Sequence, residues 1–409
     1  MDLTENSISI QKSEKISLQY LFYTFFKIGC VSFGGYMALV SLVQKIMVDK
    51  DETLDNEVII DSITVASLIP GPLAVNIVAN IGYHLRGKKG AVISMFAVLL
   101  PACTLMLFLA WLYFTYAYKV EWGTIMHYVV AVVSAIILST GFNLYKKEIG
   151  KNYRKALLCL AAIVVMSVTN SYIITIACIL AGAIAGPFLD DNRSSRALTA
   201  KEPTKFKFNT GFSVLLSLFA INEILFITNI YKSFNSELLK LGLVFSGISL
   251  TLFGGGYVMI PIMQTLFVNE LHWLTRQEFI DAIAFSQATP GPILVSATFI
   301  GYKIAGLAGA VIATIAMFAP SAVLMIVVSK LFKKTKDHSL AKHMIGGIKV
   351  VVIGLIIASA GRLLYQQQLS VVLILVALAA LILSFKYKVS PVYLIAASIF
   401  IGLLTKYLI

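Results

Sequence analysis

The sequence predicts an all-α polytopic membrane protein of about thirteen transmembrane helices, arranged as two inverted-topology repeats with broken helices. Three observations lead there. Apolar runs nearly free of charge recur from Ser17 to the last residue, two stretches of chain match one another, and Lys and Arg gather in short connectors. The 409 residues would otherwise suit two or three soluble domains, but 58% hydrophobic and 13% charged residues exclude that. The mean hydropathy of +0.87 agrees. A β-barrel is excluded because the runs are continuous rather than short and alternating. The net charge of +13 does not imply nucleic acid, since the basic residues lie where they orient a membrane protein. Asp2, Glu5 and Glu14 precede no apolar core with a small-residue cleavage site, so no signal peptide is expected.

The repeat sets the order of elements. Asp61 to Met106 can be laid on Asp281 to Met325, with Pro70-Gly71-Pro72 on Pro290-Gly291-Pro292, Gly82-Tyr83 on Gly301-Tyr302, and Pro101 on Pro320. Upstream, Phe33-Gly34-Gly35-Tyr36 pairs with Phe253-Gly254-Gly255-Gly256-Tyr257, one glycine longer. Residues 1–189 form the first transmembrane half, with apolar runs at 17–48, 58–83, 91–118, 125–145, 156–168 and 172–189. Residues 190–210 are a polar, basic linker. Residues 211–231 supply one unpaired apolar helix. Residues 232–409 are the second half, with runs at 238–268, 279–303, 310–332, 344–365, 371–383 and 392–409.

Charge predicts orientation. In the first half the connectors read basic (Arg86, Lys88, Lys89), near neutral (Lys119, Glu121), then basic (Lys146, Lys147, Lys151, Arg154, Lys155). In the second they read Lys303 alone, then Lys330, Lys333, Lys334, Lys336 and Lys342, then Arg362. Reversed alternation is the signature of inversion, and the unpaired helix supplies the odd crossing it requires. If every run crosses, the N-terminus lies inside, the C-terminus outside, and the acidic segment 49–57 outside.

Chemistry is expected at the interruptions. Pro-Gly-Pro stops a helix, because proline lacks an N–H and clashes with the preceding turn. Pro72 and Pro292 then suit the first position of a restarted helix. Thr275-Arg276-Gln277-Glu278 is a capping box for the preceding piece, with Asp55 in the place of Thr275 in the first half. From Thr275 to Thr289 a helix rises about 21 Å, so the break falls inside the bilayer. Irregular backbone at that depth must be buried in protein or line a wet cavity. The restarted helix aims free N–H groups and a positive dipole end at that space, which suits an anion. The candidate substrate site is therefore Gly34, Gly35, Ser67, Pro70, Gly71, Pro72 and Asn76, with Gly254, Gly255, Gly256, Gln287, Thr289, Pro290, Gly291, Pro292 and Ser296. The plain alternative is a set of proline kinks with glycine close packing. Recurrence at matched positions in both halves favours a site.

Other residues stay open. Lys27, two turns before Gly34, is either an oxyanion ligand or a lysine snorkelling to the interface. Asp61 and Asp281, each nine residues before its Pro-Gly-Pro, either relay protons or occupy first turns favoured by the helix dipole. The cysteines Cys30, Cys103, Cys159 and Cys178 read as packing residues. The five histidines lack ligand spacing, so no metal is expected, and Gly254-Gly255-Gly256 lacks the strand-then-helix setting of a nucleotide loop. No cofactor is expected.

The doubled Phe-Gly-Gly, Pro-Gly-Pro and Gly-Tyr-x-x-x-Gly-x-x-Gly motifs resemble the chromate ion transporter family, in its long, two-half form. The likeness covers nearly the whole chain. It implies a bacterial inner-membrane carrier, not an enzyme, that exports chromate, a tetrahedral dianion like sulfate, and confers chromate resistance. The implied motif positions are Phe33, Gly34, Gly35, Pro70, Gly71, Pro72, Phe253, Gly254, Gly255, Pro290, Gly291 and Pro292. The first half departs from the commoner family pattern at Tyr36, where a proline often stands, and at Ala66-Ser67-Leu68-Ile69, where a Gln or Cys-Gln often precedes the motif. The expected partners are a chromate or sulfate-like oxyanion and the lipid bilayer. A homodimer is compatible with the architecture. A passive anion channel is the competing use of the same helix ends.

Overall fold

The computed structural model describes residues 16–32, 36–116, 123–168, 172–189, 236–251, 256, 259–332, 339–365 and 370–408. The linker 190–210, the unpaired run 211–231 and the glycines Gly34, Gly35, Gly254 and Gly255 lie outside them. Among the described residues the regular structure is helical throughout. Four helical stretches there are long and apolar enough to cross a membrane: Leu73–Tyr116, His127–Ile149, Ile293–Val327 and His343–Tyr365. The chain is an all-α membrane protein.

The first half contains α1 (Leu18–Val31), α2 (Tyr36–Val43, running on as a π-helical turn, Gln44–Lys50), α3 (Asn56–Leu68), α4 (Leu73–Tyr116), α5 (Gly123–Leu144), α6 (Tyr153–Val168) and α7 (Tyr172–Leu189). The second contains α8 (Glu237–Thr251), α9 (Met259–Gln264, with the π-helical turn Thr265–Glu270), α10 (Arg276–Ala288), a 3-10 turn (Ile293–Val295), α11 (Ser296–Phe332), α12 (Ser339–Tyr365), α13 (Val371–Phe385) and α14 (Pro391–Leu408). Local chemistry sets several starts. The Ser17 hydroxyl accepts from the Tyr20 N–H to cap α1. Thr275 and Glu278 form both bonds of the capping box that opens α10, whereas Asp55 caps α3 by position, with no side-chain bond.

The two halves share backbone geometry even where their sequences diverge. After the first π-helical turn, the N–H of Asp51 donates to the Ile46 carbonyl and that of Thr53 to Met47; 220 residues on, Leu271 donates to Leu266 and Trp273 to Phe267. Glu52 and His272, between those donors, take the same left-handed conformation at φ 48° and 53°. Within α4 the path reverses at Arg86 (φ −143°) and Gly87 (φ 60°), and within α11 it does so at Ala305 (φ −142°) and Gly306 (φ 58°). Only glycine adopts the second conformation without strain. Each of these helices is thus a hairpin, with arms 73–85 and 88–116 in the first half. Their crossing is tight: a Cβ on Gly82 would lie 2.5 Å from the Gly90 carbonyl oxygen, and one on Gly301 would lie 2.3 Å from that of Gly309.

The direction of the chain at the interruptions corrects the expected topology. A helix continuing from Tyr20 to Asp51 would separate them by about 45 Å at 1.5 Å per residue. Instead the Tyr20 hydroxyl donates to the Asp51 carboxylate at 2.7 Å and lies 3.1 Å from the Thr53 hydroxyl. Likewise the Asn80 amide donates to Ser62 at 2.9 Å across the first Pro-Gly-Pro, where a continuous helix would set them about 27 Å apart. In the second half the rings of Phe245 and Phe267 are 5.2 Å apart, those of Phe285 and Phe299 are 5.8 Å apart, and Lys303 pairs with Glu278. The runs 17–48, 58–83, 238–268 and 279–303 therefore double back as hairpins, with both ends at one end of the bundle, rather than run straight through it. The acidic segment 49–57 lies at the same end as Arg86, Lys88 and Lys89, not on the opposite face.

Packing respects the repeat. α4 packs on α11 and α5 on α12, counterpart against counterpart, while α1 lies on α4 as α8 lies on α11. The closing pair of each half crosses over: α6 and α7 cover α12, and α13 and α14 cover α5. Small residues let these helices approach closely. A Cβ on Gly347 of α12 would lie 2.0 Å from the Gly182 carbonyl oxygen of α7, whereas one on the adjacent Gly346 would meet nothing within 4 Å. Gly347→Ala should therefore destabilise the protein by about 1–3 kcal/mol through forced separation of α7 and α12. Gly346→Ala should be neutral or stabilising by up to about 1 kcal/mol. Thermal melting of the two variants in detergent, side by side with the parent, checks this contrast.

Candidate anion site at the hairpin tips

Each Pro-Gly-Pro forms the tip of a buried hairpin. α3 ends at Leu68, Ile69 turns extended (ψ 143°), and helix resumes at Leu73. α10 ends at Ala288, Thr289 turns extended (ψ 150°), and the 3-10 turn begins at Ile293. The central glycines adopt φ values of 123° (Gly71) and 115° (Gly291), which L-residues rarely take. The second half has one residue fewer between its second proline and its Gly-Tyr pair. A three-residue 3-10 turn rising about 2.0 Å per residue covers the span of four α-helical residues at about 1.5 Å, so the shorter path reaches equally far.

Contacts across the halves hold the tips in place. A Cβ on Gly71 would lie 2.2 Å from Cβ of Ser321, and one on Gly291 would lie 2.9 Å from Cβ of Ala102. Ser321 and Ala102 follow Pro320 and Pro101, so each tip seats against the same position of the opposite half. The Gly291 N–H also donates to the Ser32 carbonyl at 2.8 Å, one residue before Phe33-Gly34-Gly35. A Cβ on Gly256 would come 2.4 Å from Ile293. The second Pro-Gly-Pro thus meets chain flanking both glycine interruptions.

The polar groups at the tips divide by how they are satisfied. Ser286 donates to the Ile283 carbonyl at 2.8 Å, and Thr289 donates to that of Ser286 at 3.2 Å. Both are occupied by their own helix. Asn76 donates through Nδ2 to the Pro70 carbonyl at 3.3 Å, which leaves its Oδ1 buried without a hydrogen-bond partner. Ser296, the residue matching Asn76 four positions after the second proline, is also fully buried, and its hydroxyl has no partner. Buried polar atoms are nearly always paired, so two orphans at matched positions leave hydrogen-bonding capacity open beside both tips, while Ser94, Ser134 and Ser249 carry further orphaned hydroxyls elsewhere. No charged residue occurs in stretches 62–79 or 282–300. The electropositive groups there are the free N–H groups and dipole ends of the helix starts at Leu73 and Ile293.

The remaining expected residues fall elsewhere or differ between halves. Gln287 is buried on α10; the side chain of Ser67 lies outside the described residues. Lys27 is exposed on α1. Asp61 is exposed, but its counterpart Asp281 is 1% exposed and accepts from the Tyr113 hydroxyl of α4 at 2.7 Å and from Gln277 at 2.9 Å. Ser321, Ala102 and Tyr113 carried no motif of their own; standing directly after a matched intrahelical proline was the available signal for the first two. A separate polar cluster joins Gln264 to Ser359 (3.1 Å) and Arg362 to the Met166 carbonyl, around a cavity of about 10 Å³, space for about one water. Among the described residues no group of His, Cys, Asp or Glu could hold a metal ion.

The sequence profile described as chromate transporter matches residues 19–186 and 239–403, covering both halves. An uncharacterised transporter of Methanocaldococcus jannaschii is 27% identical over 408 residues, 99% of this chain and 98% of that one. A chromate transport protein of Cupriavidus metallidurans is 27% identical over 398 residues, 97% of this chain and 95% of its own. A probable chromate transport protein of Synechococcus elongatus is 28% identical over 377 residues, 90% of each. No solved structure matches the chain.

The tip contacts yield a two-part expectation. Gly71→Ala combines a left-handed backbone with a clash, at about 1–2 and about 1–3 kcal/mol respectively. Ser321→Gly should recover the part of the clash made with Ser321 in the double variant and leave the backbone portion and the 2.8 Å approach to the Asn76 amide, a coupling measurable by thermal unfolding in a double-mutant cycle. Strict additivity would show that the two residues do not touch.

Proposed function

The chain belongs to the chromate transporter family, and we propose that it is a secondary transporter that exports chromate across the bacterial inner membrane by alternating access. The oxyanion is held at the helix starts that follow the two Pro-Gly-Pro tips. The observation that carries this reading is the matched pair of buried, unpartnered oxygens, Asn76 Oδ1 and Ser296 Oγ, beside those starts. Ser296 can donate to a chromate oxygen. Asn76 Oδ1, fixed as an acceptor by the Nδ2 bond to Pro70, suits the hydrogen of a protonated oxyanion or of its water.

Inversion of the halves is part of the proposal, and the position of the hairpin bases supports it. The first-half hairpins have their bases near Asp51 and Arg86, at the start of the arm 88–116. The second Pro-Gly-Pro hairpin has its base at Glu278 and Lys303, beside Tyr113 and Phe114 at the far end of that arm. The arm is about 43 Å long, enough to put the two bases on opposite faces. On the positive-inside reading, Arg86, Lys88, Lys89 and the lysines at 146–155 mark the cytoplasmic face. Rocking of the halves about the tips would then open the site to one face at a time.

The driving force suffices. An inside-negative potential acts on each charge at roughly 2.3 kcal/mol per 100 mV, so expelling a dianion gains about twice that before any proton is coupled. Uptake of radiolabelled chromate into inside-out vesicles, competed by sulfate, molybdate and phosphate, with and without a proton gradient, tests the proposal. Saturation, counterflow and preference for chromate are expected. Replacing Pro70-Gly71 or Pro290-Gly291 by Ala-Ala should abolish flux while membrane insertion persists. Non-saturating flux without counterflow would make the protein a channel, stronger competition by sulfate would change the substrate, and normal flux in the Ala-Ala variants would remove the tips from the mechanism.

A further inference from the structure

The two matched aspartates have parted ways, and the difference lies at a junction between the halves. Asp61 sits exposed on α3. Asp281, at the corresponding position of α10, is buried and bridges to the other half through the Tyr113 hydroxyl. The Tyr113 ring is itself wedged between Phe285 of α10 (5.9 Å) and Phe299 of α11 (5.3 Å), the two arms of the second hairpin. Phe114, next in sequence, packs on Phe299 and Tyr302, with Lys303 over its ring. The end of α4 is thus clamped against the base of the hairpin whose tip carries Ser296. Among the described residues no equivalent bridge is present at Asp61.

We propose that Asp281 is a proton-binding latch that controls access on one face only. This rests on the transporter reading above and adds its coupling ion and its asymmetry. Ionised, the carboxylate accepts from both Tyr113 and Gln277, and charge-assisted bonds of this kind are about twice as strong as neutral ones. One proton added to Asp281 removes the charge, and one carboxyl oxygen then becomes a donor that competes with the Tyr113 hydroxyl. The bridge loosens, and the second hairpin is released from α4 at that face. Proton entry from that side thereby opens the site as the anion leaves.

The titratable neighbours are compatible with this role. On α10 itself, Arg276 and Glu278 flank Asp281, and Glu278, the nearest like charge, is paired with Lys303. Elements packed against α10 carry Tyr113 on α4, Tyr302 and Lys303 on α11, His127 and Tyr128 on α5, Tyr393 on α14 and Glu270 on the π-helical turn. Of these, Tyr113 is the one the structure bonds to Asp281.

The test uses the full-length protein in proteoliposomes and in detergent. Chromate efflux should rise about tenfold as the pH on the Tyr113 face falls from about 8 to about 6, the change expected when one charge-assisted bridge is lost. Asp281→Asn and Tyr113→Phe should flatten that profile while chromate-for-chromate exchange persists, and Asp61→Asn should leave the profile intact. Asp281→Glu should restore part of the pH response, which a merely structural loss would not. Protection of residues 276–288 against hydrogen exchange in detergent, taken relative to the intrinsic amide rate at each pH and without any substrate, should fall at low pH in the parent and be low at every pH in Asp281→Asn. That readout separates the latch from the transport assignment. A parental pH profile in Asp281→Asn, or protection of this segment that is the same at every pH in the parent, overturns the latch.

Discussion

Backbone polar groups cannot be left facing hydrocarbon, and this constraint shapes everything at the centre of the molecule. Each Pro-Gly-Pro strips a helix of its internal hydrogen bonds at a depth where lipid offers no substitute. The protein answers from within. Asn76 takes the Pro70 carbonyl, and the Gly291 N–H finds the Ser32 carbonyl of the other half. The tips also seat against Ser321 and Ala102, so the irregular backbone of one half is sheltered by the long hairpin helix of the other. Neither half could keep its interruptions buried without its counterpart.

Burial of that kind leaves a polar spot with no formal charge nearby. Helix starts supply N–H groups and a positive dipole end, and the orphaned oxygens of Asn76 and Ser296 supply hydrogen-bonding capacity. A site made of dipoles rather than lysines has a consequence for a carrier. On the proposed reading, it would stabilise an anion without the full charge that would hold a dianion too firmly to release. The exposed position of Lys27 fits that economy.

The scaffold repeats more faithfully than the sequence, while the chemistry on it does not. The π-helical turns and the left-handed residues after them match at Asp51-Glu52-Thr53 and Leu271-His272-Trp273, which share no residue. Asp61 and Asp281 do share a residue and yet differ completely in burial and bonding. Duplication preserved the backbone path of the two halves, while their side chains diverged.

Much was legible from sequence alone, because it depended on local chemistry. Composition and run length required membrane helices, the internal match required two related halves, Pro-Gly-Pro required helix stops at Leu68 and Ala288, and Thr275 with Glu278 required a capped start for α10. Asn76 and Ser296 could be named for their nearness to the stops. What the chain does after a stop could not be read, since the same three residues serve a kink in a crossing helix or the tip of a hairpin. Only partners distant along the chain decide between them: Tyr20 with Asp51, Ser62 with Asn80, Glu278 with Lys303. The same holds for the bridge from Tyr113 to Asp281, which spans 168 residues and exists only because α4 of one half lies beside the second hairpin of the other. Sequence fixes where a helix must end; packing between the halves fixes which way the chain then turns.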